Sequence, residues 1–74
     1  MNNESYLGRW FKTNANSSYM IHVCNRISSN IYLCVIYKDN ILSHIYEVHD
    51  TTIITNILTD VWEDITGEIE GKGN

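Results

Sequence analysis

The chain lacks several features that assign proteins to common classes. Its two cysteines, Cys24 and Cys34, do not show the dense spacing of a disulfide-rich secreted domain, so a reducing compartment is favoured. No apolar run approaches the roughly 20 residues that span a bilayer. The polar first residues also lack the basic and apolar regions of a signal peptide. We therefore expect a soluble, cytoplasmic protein with no membrane partner.

Basic residues are scarce, with five Lys and Arg against nine Asp and Glu and a formal net charge of −4. Non-specific binding to nucleic acids depends on Lys and Arg that displace counterions from phosphates, so the composition argues against a nucleic-acid partner. The charge is also uneven along the chain, because most basic residues lie in the first half. Acidic residues dominate the other end, at Asp50, Asp60, Glu63, Asp64, Glu68 and Glu70.

The length of 74 residues predicts a single domain, residues 1–74, with flexible ends at 1–6 and 67–74. A domain of this size buries only about 60% of the surface that its unfolded chain exposes. Its core then supplies roughly 3–5 kcal/mol, and natural chains of this size often add a disulfide, a metal or a second subunit. A homo-oligomer is therefore one expected assembly.

The stretch from Ile31 to Val48 is the strongest structural signal in the chain. Two runs of β-branched and aromatic residues flank a short polar turn, which is typical of a β-hairpin. If Asp39 and Asn40 form a two-residue turn, Tyr37 opposes Leu42, and alternation of the side chains then separates two faces. The expected core face carries Leu33, Val35, Tyr37, Leu42 and Tyr46. The opposite face carries Tyr32, Cys34, Ile36 and Ile45.

A second hairpin precedes the first. Its leading strand has alternating apolar residues that we expect on the core face, namely Tyr19, Ile21 and Val23. A three-residue loop at residues 28–30 would place Val23 opposite Val35. The same register would place Cys24 opposite Cys34, at a separation that permits a strained disulfide, so the two thiols are expected either reduced or bridged.

The segment after Val48 supports two interpretations. Apolar residues at three-and-four spacing predict a helix over residues 52–65, which would give a four-stranded meander plus a C-terminal helix. The many β-branched residues favour instead a short helical turn near residues 54–58 and then a last strand. The second interpretation predicts a mainly β fold, a small five-stranded antiparallel barrel or curled sheet. Its strands are Gly8–Thr13, Ser18–Asn25, Ile31–Tyr37, Ile41–Val48 and Val61–Thr66.

The last predicted strand carries a family resemblance. The run Thr-Asp-Val-Trp-Glu-Asp-Ile-Thr at residues 59–66, preceded by a one-turn spacer, resembles the closing strand of SH3-like barrels. It is also similar to the tails of short orphan proteins of phages and mobile elements in AT-rich genomes. Abundant isoleucine and asparagine with no proline agree with such codon usage. The resemblance implies an SH3-like barrel and a host-directed inhibitor or regulator, for instance of a defence nuclease.

Residues with the chemistry of metal ligands or catalysts do not form a convincing site. Zinc prefers imidazole and thiolate, but the predicted register separates His44 from the set formed by His22, Cys24 and Cys34. Acid–base catalysis needs a base held against its partner in a pocket that excludes water, and a barrel this small has little interior. We expect no enzyme activity, no cofactor and no metal.

These observations favour a non-enzymatic protein-interaction module that binds another protein through apolar and acidic residues. The candidate binding residues are Tyr32, Ile36, Ile45, Trp62, Asp60, Glu63 and Asp64. The alternative is a nucleic-acid-binding small β-barrel in which bases stack on aromatic side chains. In that interpretation Trp10 and Tyr32 are the stacking platforms. The cations that would contact phosphates are Arg9, Lys12, Arg26 and Lys38.

Overall fold

The computed structural model describes residues 6–16 and 18–71. Within them, five antiparallel strands form one sheet in the order β4-β3-β2-β1-β5, and two short helices flank the last strand. The elements are β1 (Trp10–Thr13), β2 (Tyr19–Ser28), β3 (Ile31–Lys38), β4 (Ile41–His49), α1 (Asp50–Leu58), β5 (Trp62–Asp64) and α2 (Thr66–Gly71). The predicted mainly β class with five antiparallel strands is confirmed.

The turn between β3 and β4 matches its prediction. Asp39 and Asn40 have φ angles of 53° and 71°, the left-handed region that two-residue hairpin turns require and that Asp and Asn tolerate. Tyr37 opposes Leu42 as expected. A β-bulge between Ile36 and Tyr37 then shifts the register by one residue.

The bulge reverses which residues of β3 and β4 share a face. Ile36 opposes His44 and Cys34 opposes Tyr46. The register extended from the predicted Tyr37–Leu42 pair would place Val35 opposite His44, so that part of the prediction is wrong. The hydrophobic pattern could not reveal this shift, because every residue from Ile31 to Tyr37 is apolar or aromatic and either register pairs such side chains.

The hairpin between β2 and β3 also differs from its prediction. Ser28 opposes Ile31 across a two-residue turn, and two register shifts follow along the strands. Val23 consequently opposes Cys34, whereas Cys24 falls at a shift and has an exposed side chain. The predicted facing pair of cysteines does not form, and both thiols are free.

One face of the sheet, which we call the inner face, packs against Ile53 of α1. The core cluster on this face consists of Phe11, Ile21, Val23, Tyr32, Cys34 and Ile53. The expected burial of Ile21 and Val23 is confirmed. The expected burial of Val35 is also confirmed, at 8% exposed. The rest of the expected core face of β3 and β4 is wrong, because Tyr32 and Cys34 are buried while Leu42 and Tyr46 are about half exposed.

Helix α1 is longer than the predicted turn at residues 54–58 and ends before the alternative limit of residue 65. Its β-branched residues are helical because burial of Ile53 in the core outweighs their weak preference for other conformations. Asp60 follows the helix with a φ of 61°, and the amide of Val61 donates to the carbonyl of Asn56 at 2.9 Å. This reversal directs β5 along β1.

Parts of the two ends that were predicted to be flexible lie among the described residues. Helix α2 occupies part of the segment 67–74 that was expected to be flexible. Tyr6, in the expected flexible end 1–6, packs edge-to-face on Tyr32 with ring centroids 6.0 Å apart. The remainder of these two ends, residues 1–5 and 72–74, lies outside the described residues.

Candidate functional site

The inner face is only partly covered by α1, and the uncovered part forms a groove of about 380 Å³. Residues from all five strands line it. They are Thr13, Tyr19, Ile21, Ile36, His44, Tyr46, Val48 and Trp62. Most of this lining is aliphatic or aromatic, with hydroxyl and imidazole groups as the polar contacts. Such a surface suits an apolar ligand that a few polar groups orient.

The groove lies where the two edges of the sheet approach each other. Trp62 belongs to β5 and Tyr46 to β4, which are the two ends of the strand order, yet both side chains line the same groove. The sheet is therefore curled rather than closed: β4 and β5 do not pair within the described residues. The groove occupies the gap between β4 and β5, the two strands that would pair in a closed barrel. We call this gap the open seam.

Neighbouring groups hold several groove side chains in place. The rings of His44 and Tyr46 stack with centroids 5.5 Å apart, and the Nδ1 atom of His44 lies 2.8 Å from the Ser43 hydroxyl. Trp62 packs on buried Phe11 with centroids 5.4 Å apart. These aromatic side chains thus lose little further freedom when a partner binds, which favours affinity.

The structure separates the predicted apolar site residues. Ile36 and Trp62 lie together in the groove. Tyr32 is only 2% exposed and belongs to the core, and Ile45 is 54% exposed on the opposite, outer face. The predicted binding residues Tyr32, Ile36 and Ile45 therefore do not form one surface.

Sequence reasoning missed six of the eight groove residues, among them three with aromatic rings. Tyr46 was assigned to the core, and Tyr19 and His44 were not proposed as binding residues, yet all three line the groove. A signal was available, because a histidine alternates with Tyr46 and Val48 along β4. A polar ring in that series indicates a face that water still reaches.

The acidic end contacts the basic first half across the β1–β5 pair. Glu63 lies opposite Lys12, with Oε1 and Nζ 3.6 Å apart, and Asp64 accepts from the Nε of Arg9 at 3.0 Å. Asp60 is exposed and its carbonyl accepts from the Asn14 side chain. Glu63 and Asp64, which were expected to bind a partner, thus pair within the chain. This pairing reduces the negative charge that is available to a partner.

Asp64 also connects β5 with α2. Its Oδ1 accepts from the Thr66 amide at 2.9 Å and from the Thr66 hydroxyl at 2.6 Å. Partial burial is the largest influence on its carboxyl group and raises the pKa. The hydrogen bonds from Thr66 and the interaction with Arg9 together outweigh burial, so the pKa of Asp64 lies below its usual value.

The outer face of the sheet carries a stack of rings. Trp10 lies between His22, at a centroid distance of 4.1 Å, and Tyr37, at 5.7 Å. Partial burial lowers the pKa of His22 below 6.5, because desolvation disfavours the charged ring. Trp10 is thus engaged by the protein's own side chains on both sides.

The two thiols are expected to react very differently. Burial, and secondarily the nearby Cys24, raise the pKa of Cys34 to about 11, whereas Cys24 is exposed. The thiolate is the reactive species, so iodoacetamide should modify Cys24 in the native protein and Cys34 only after unfolding. Mass spectrometry of peptides after a timed reaction, with and without urea, measures this. Equal rates for the two cysteines under native conditions would contradict the observed register.

The residues that sequence analysis considered for zinc are dispersed. Cys34 lies in the core, His44 lines the groove, and His22 stacks on the outer face. No group of three or more His, Cys, Asp or Glu side chains suitable for a metal ion occurs among residues 6–16 and 18–71. Across the same part of the chain, no helix has the length and apolar character needed to cross a bilayer.

Comparison with protein families, with curated proteins and with solved structures gives no match to this chain. The groove is therefore the feature of the molecule from which its function is inferred.

Proposed function

We propose that this protein is a non-enzymatic protein-interaction module that receives an apolar segment of another protein in the groove of its inner face. The observation that carries the proposal is the open seam of the curled sheet, where Tyr19, Tyr46 and Trp62 line one groove. Tyr and Trp are favoured at protein interfaces because each combines a large apolar area with a polar group.

The character of the groove supports a peptide rather than a charged ligand. Aliphatic side chains from three different strands, Ile21, Ile36 and Val48, provide apolar contacts. The hydroxyls of Thr13 and Tyr19 and the ring of His44 supply hydrogen-bonding groups that a peptide backbone can meet. Part of the groove is already ordered by the stacking of His44 on Tyr46.

Several contacts weigh against the nucleic-acid alternative. Arg9 and Lys12 pair with Asp64 and Glu63, so they are poorly available to phosphates. Of the proposed stacking platforms, Tyr32 is buried and Trp10 is stacked between two rings. These positions support a protein as the partner.

The resemblance of the C-terminal strand to phage and mobile-element proteins extends the proposal. In this extended form, the protein is an inhibitor or regulator that occupies a surface of a host protein, such as a defence nuclease. Its action requires only binding, and the groove is the surface through which it binds.

A selection of random peptides tests the groove. Peptides displayed on phage particles are enriched on the immobilised protein, and the Kd of each enriched peptide is measured by fluorescence anisotropy. We expect Trp62→Ala to weaken binding by about tenfold or more, which corresponds to about 1.4 kcal/mol. Apolar residues should predominate in the enriched sequences.

The other tryptophan provides a matched control. Trp10 lies on the outer face, so Trp10→Ala removes the same side chain without altering the groove. We expect wild-type affinity in this variant, with folding of both variants checked by circular dichroism. Enriched peptides that bind the Trp62→Ala and wild-type proteins equally would contradict the proposed site.

A further inference from the structure

Lys38 places a positive charge at one end of the groove. The register pairs Lys38 with Tyr19 across β2 and β3, two residues beyond the pair of Ile21 and Ile36. Both pairs therefore lie on the inner face, because side chains alternate along a strand. The Nζ atom of Lys38 lies over the Tyr19 ring, 5.7 Å from its centroid. Since Tyr19 lines the groove, this ammonium group lies at the rim of the groove.

The ammonium group of Lys38 is available to an external anion. Arg9 and Lys12 each form an ion pair with a carboxylate of β5. Among the side chains that the structure describes, no carboxylate lies within ion-pair distance of Lys38, which is exposed and contacts the Tyr19 ring. An ammonium group has three N–H donors, and the face of a ring beneath it leaves donors for a carboxylate on the other side.

The β-bulge at Ser43 determines which side chains of β4 enter the groove. If the register of the Tyr37–Leu42 pair continued without a bulge, Glu47 would lie on the inner face. The bulge turns Glu47 to the outer face and brings His44 to the inner face. None of the eight described residues that line the groove carries a carboxylate. The bulge thus removes from the groove a group that would repel an anion.

The acids that adjoin the groove along the chain do not line it. Asp39 follows Lys38 in the hairpin turn and Asp60 precedes β5, and neither belongs to the groove lining. Glu63 pairs with Lys12. The net charge of −4 is spread over the whole chain, and charges are screened beyond about 8 Å at physiological salt. A ligand in the groove therefore meets Lys38 at short range, whatever the sign of the net charge.

We propose that the groove binds a segment in which an aspartate or glutamate adjoins apolar residues, and that Lys38 binds the carboxylate of this acidic residue. The inference rests on the proposed function and names the class of partner. The interior of the groove receives the apolar residues, and the charge stays at the rim. Because the cation lies at one end of the groove, it also fixes the direction of the segment. The carboxylate belongs to a side chain, since the open seam lets a continuous chain lie in the groove.

Parallel selections of displayed peptides test the charge preference. Random peptides on phage particles are selected at physiological salt on the wild-type protein and on Lys38→Glu, and the enriched sequences are compared with the unselected library. We expect Asp and Glu beside apolar residues to be enriched on wild type, and Lys and Arg to be enriched on Lys38→Glu. Attraction by the net charge alone would enrich Lys and Arg on both proteins, and this result would overturn the proposal.

A cycle of protein and peptide variants measures the contact itself. A peptide enriched on wild type is synthesised with its acidic residue and with the corresponding amide, and each Kd is measured by fluorescence anisotropy. The two proteins compared are wild type and Lys38→Met, which keeps a long side chain and loses the charge. We expect wild type to prefer the acidic peptide by about fivefold and Lys38→Met to bind both peptides alike. An equal preference in the two proteins would exclude Lys38 as the carboxylate-binding residue.

Arg26 provides the matched control for charge. Arg26 is exposed on β2, and its guanidinium lies over the Tyr32 ring and outside the groove lining. Arg26→Glu changes the net charge by the same amount as Lys38→Glu, so it should keep the preference for acidic peptides. Circular dichroism checks the folding of each variant. If Arg26→Glu loses the preference as fully as Lys38→Glu does, the effect is one of net charge and the assigned role of Lys38 is wrong.

The inference and the proposed function fail in different ways. Peptides that need Trp62 for binding but show no preference for acidic residues overturn the inference and leave the groove as the binding site. A selection that enriches no peptide on the wild-type protein overturns both. Acidic peptides that lose affinity in both Trp62→Ala and Lys38→Met support both.

Discussion

Replacing Ile53 with alanine is expected to leave a large fraction of the protein unfolded at ambient temperature. Of the nine residues of α1, all of them described, only Ile53 is buried, and none of its surface is exposed. Truncation of a buried isoleucine costs about 2–5 kcal/mol through lost burial and the cavity left behind. Because a core of this size supplies roughly 3–5 kcal/mol in total, the loss is comparable with the whole stability. Urea denaturation followed by circular dichroism measures it.

The adjacent residue is a control with identical chemistry. Ile54→Ala removes the same atoms from a side chain that is 38% exposed. We expect it to lower the free energy of unfolding by less than about 1 kcal/mol, as is usual for substitutions near the surface. Equal losses at the two positions would show that α1 does not dock through Ile53.

Replacing Asp64 with alanine is expected to lower the free energy of unfolding by about 1–3 kcal/mol. The carboxylate accepts hydrogen bonds from the Thr66 amide and hydroxyl and from Arg9, so it connects β5, α2 and β1. Thr66 is buried, and its hydroxyl also lies 2.9 Å from the amide of Trp10. Loss of a charged acceptor leaves these donors with fewer partners, which is the source of the cost. Thermal and urea denaturation measure the change.

Two variants separate the contributions of the Asp64 charge and of the neighbouring Glu63 ion pair to the free energy of unfolding. Asp64→Asn keeps an acceptor oxygen for Thr66 and loses the charge, so its cost should lie between those of wild type and the alanine variant. Glu63→Ala removes an exposed ion pair with Lys12 and should cost less than about 0.5 kcal/mol. A larger loss from Glu63 than from Asp64 would contradict the network.

The pH dependence of stability has a defined sign at Asp64. Its folded pKa lies below the usual value of 3.8, so the contribution of the carboxylate is present above that value. It is lost as the pH falls through 3.8 toward the folded pKa, because the unfolded chain then binds the proton first. The Asp64→Asn variant should lack this part of the acid destabilisation. Urea denaturation at a series of acidic pH values, on both proteins, measures the difference.

Some residues of the candidate site are predictable from the sequence and others are not. Trp62 and Ile36 were predicted to contact a partner and do lie in one groove, although that role is still a prediction. Tyr32 was also predicted to contact a partner but is buried. The difference arises because β3 is apolar on both sides, so alternation alone does not identify the face that α1 covers.

The acidic end shows that sequence alone also does not predict which charged residues pair. Along the sequence, Glu63 and Asp64 are far from the basic residues and could be available to a partner. Pairing of β5 with β1 brings them beside Lys12 and Arg9, which no local pattern predicts. Contacts between residues so distant in sequence depend on the path of the whole chain.

The sequence by itself determined the mainly β class, the first four strands and the Asp39–Asn40 turn, and it favoured a fifth strand over a helix at residues 52–65. These depend on local chemistry, namely β-branched and aromatic residues in alternation and residues that tolerate positive φ. Only the tertiary structure decided the bulge after Ile36, the buried face of β3 and the open seam between β4 and β5. Two registers with similarly apolar pairs differ little locally, so the docking of Ile53 and the long-range pairing of β5 select between them.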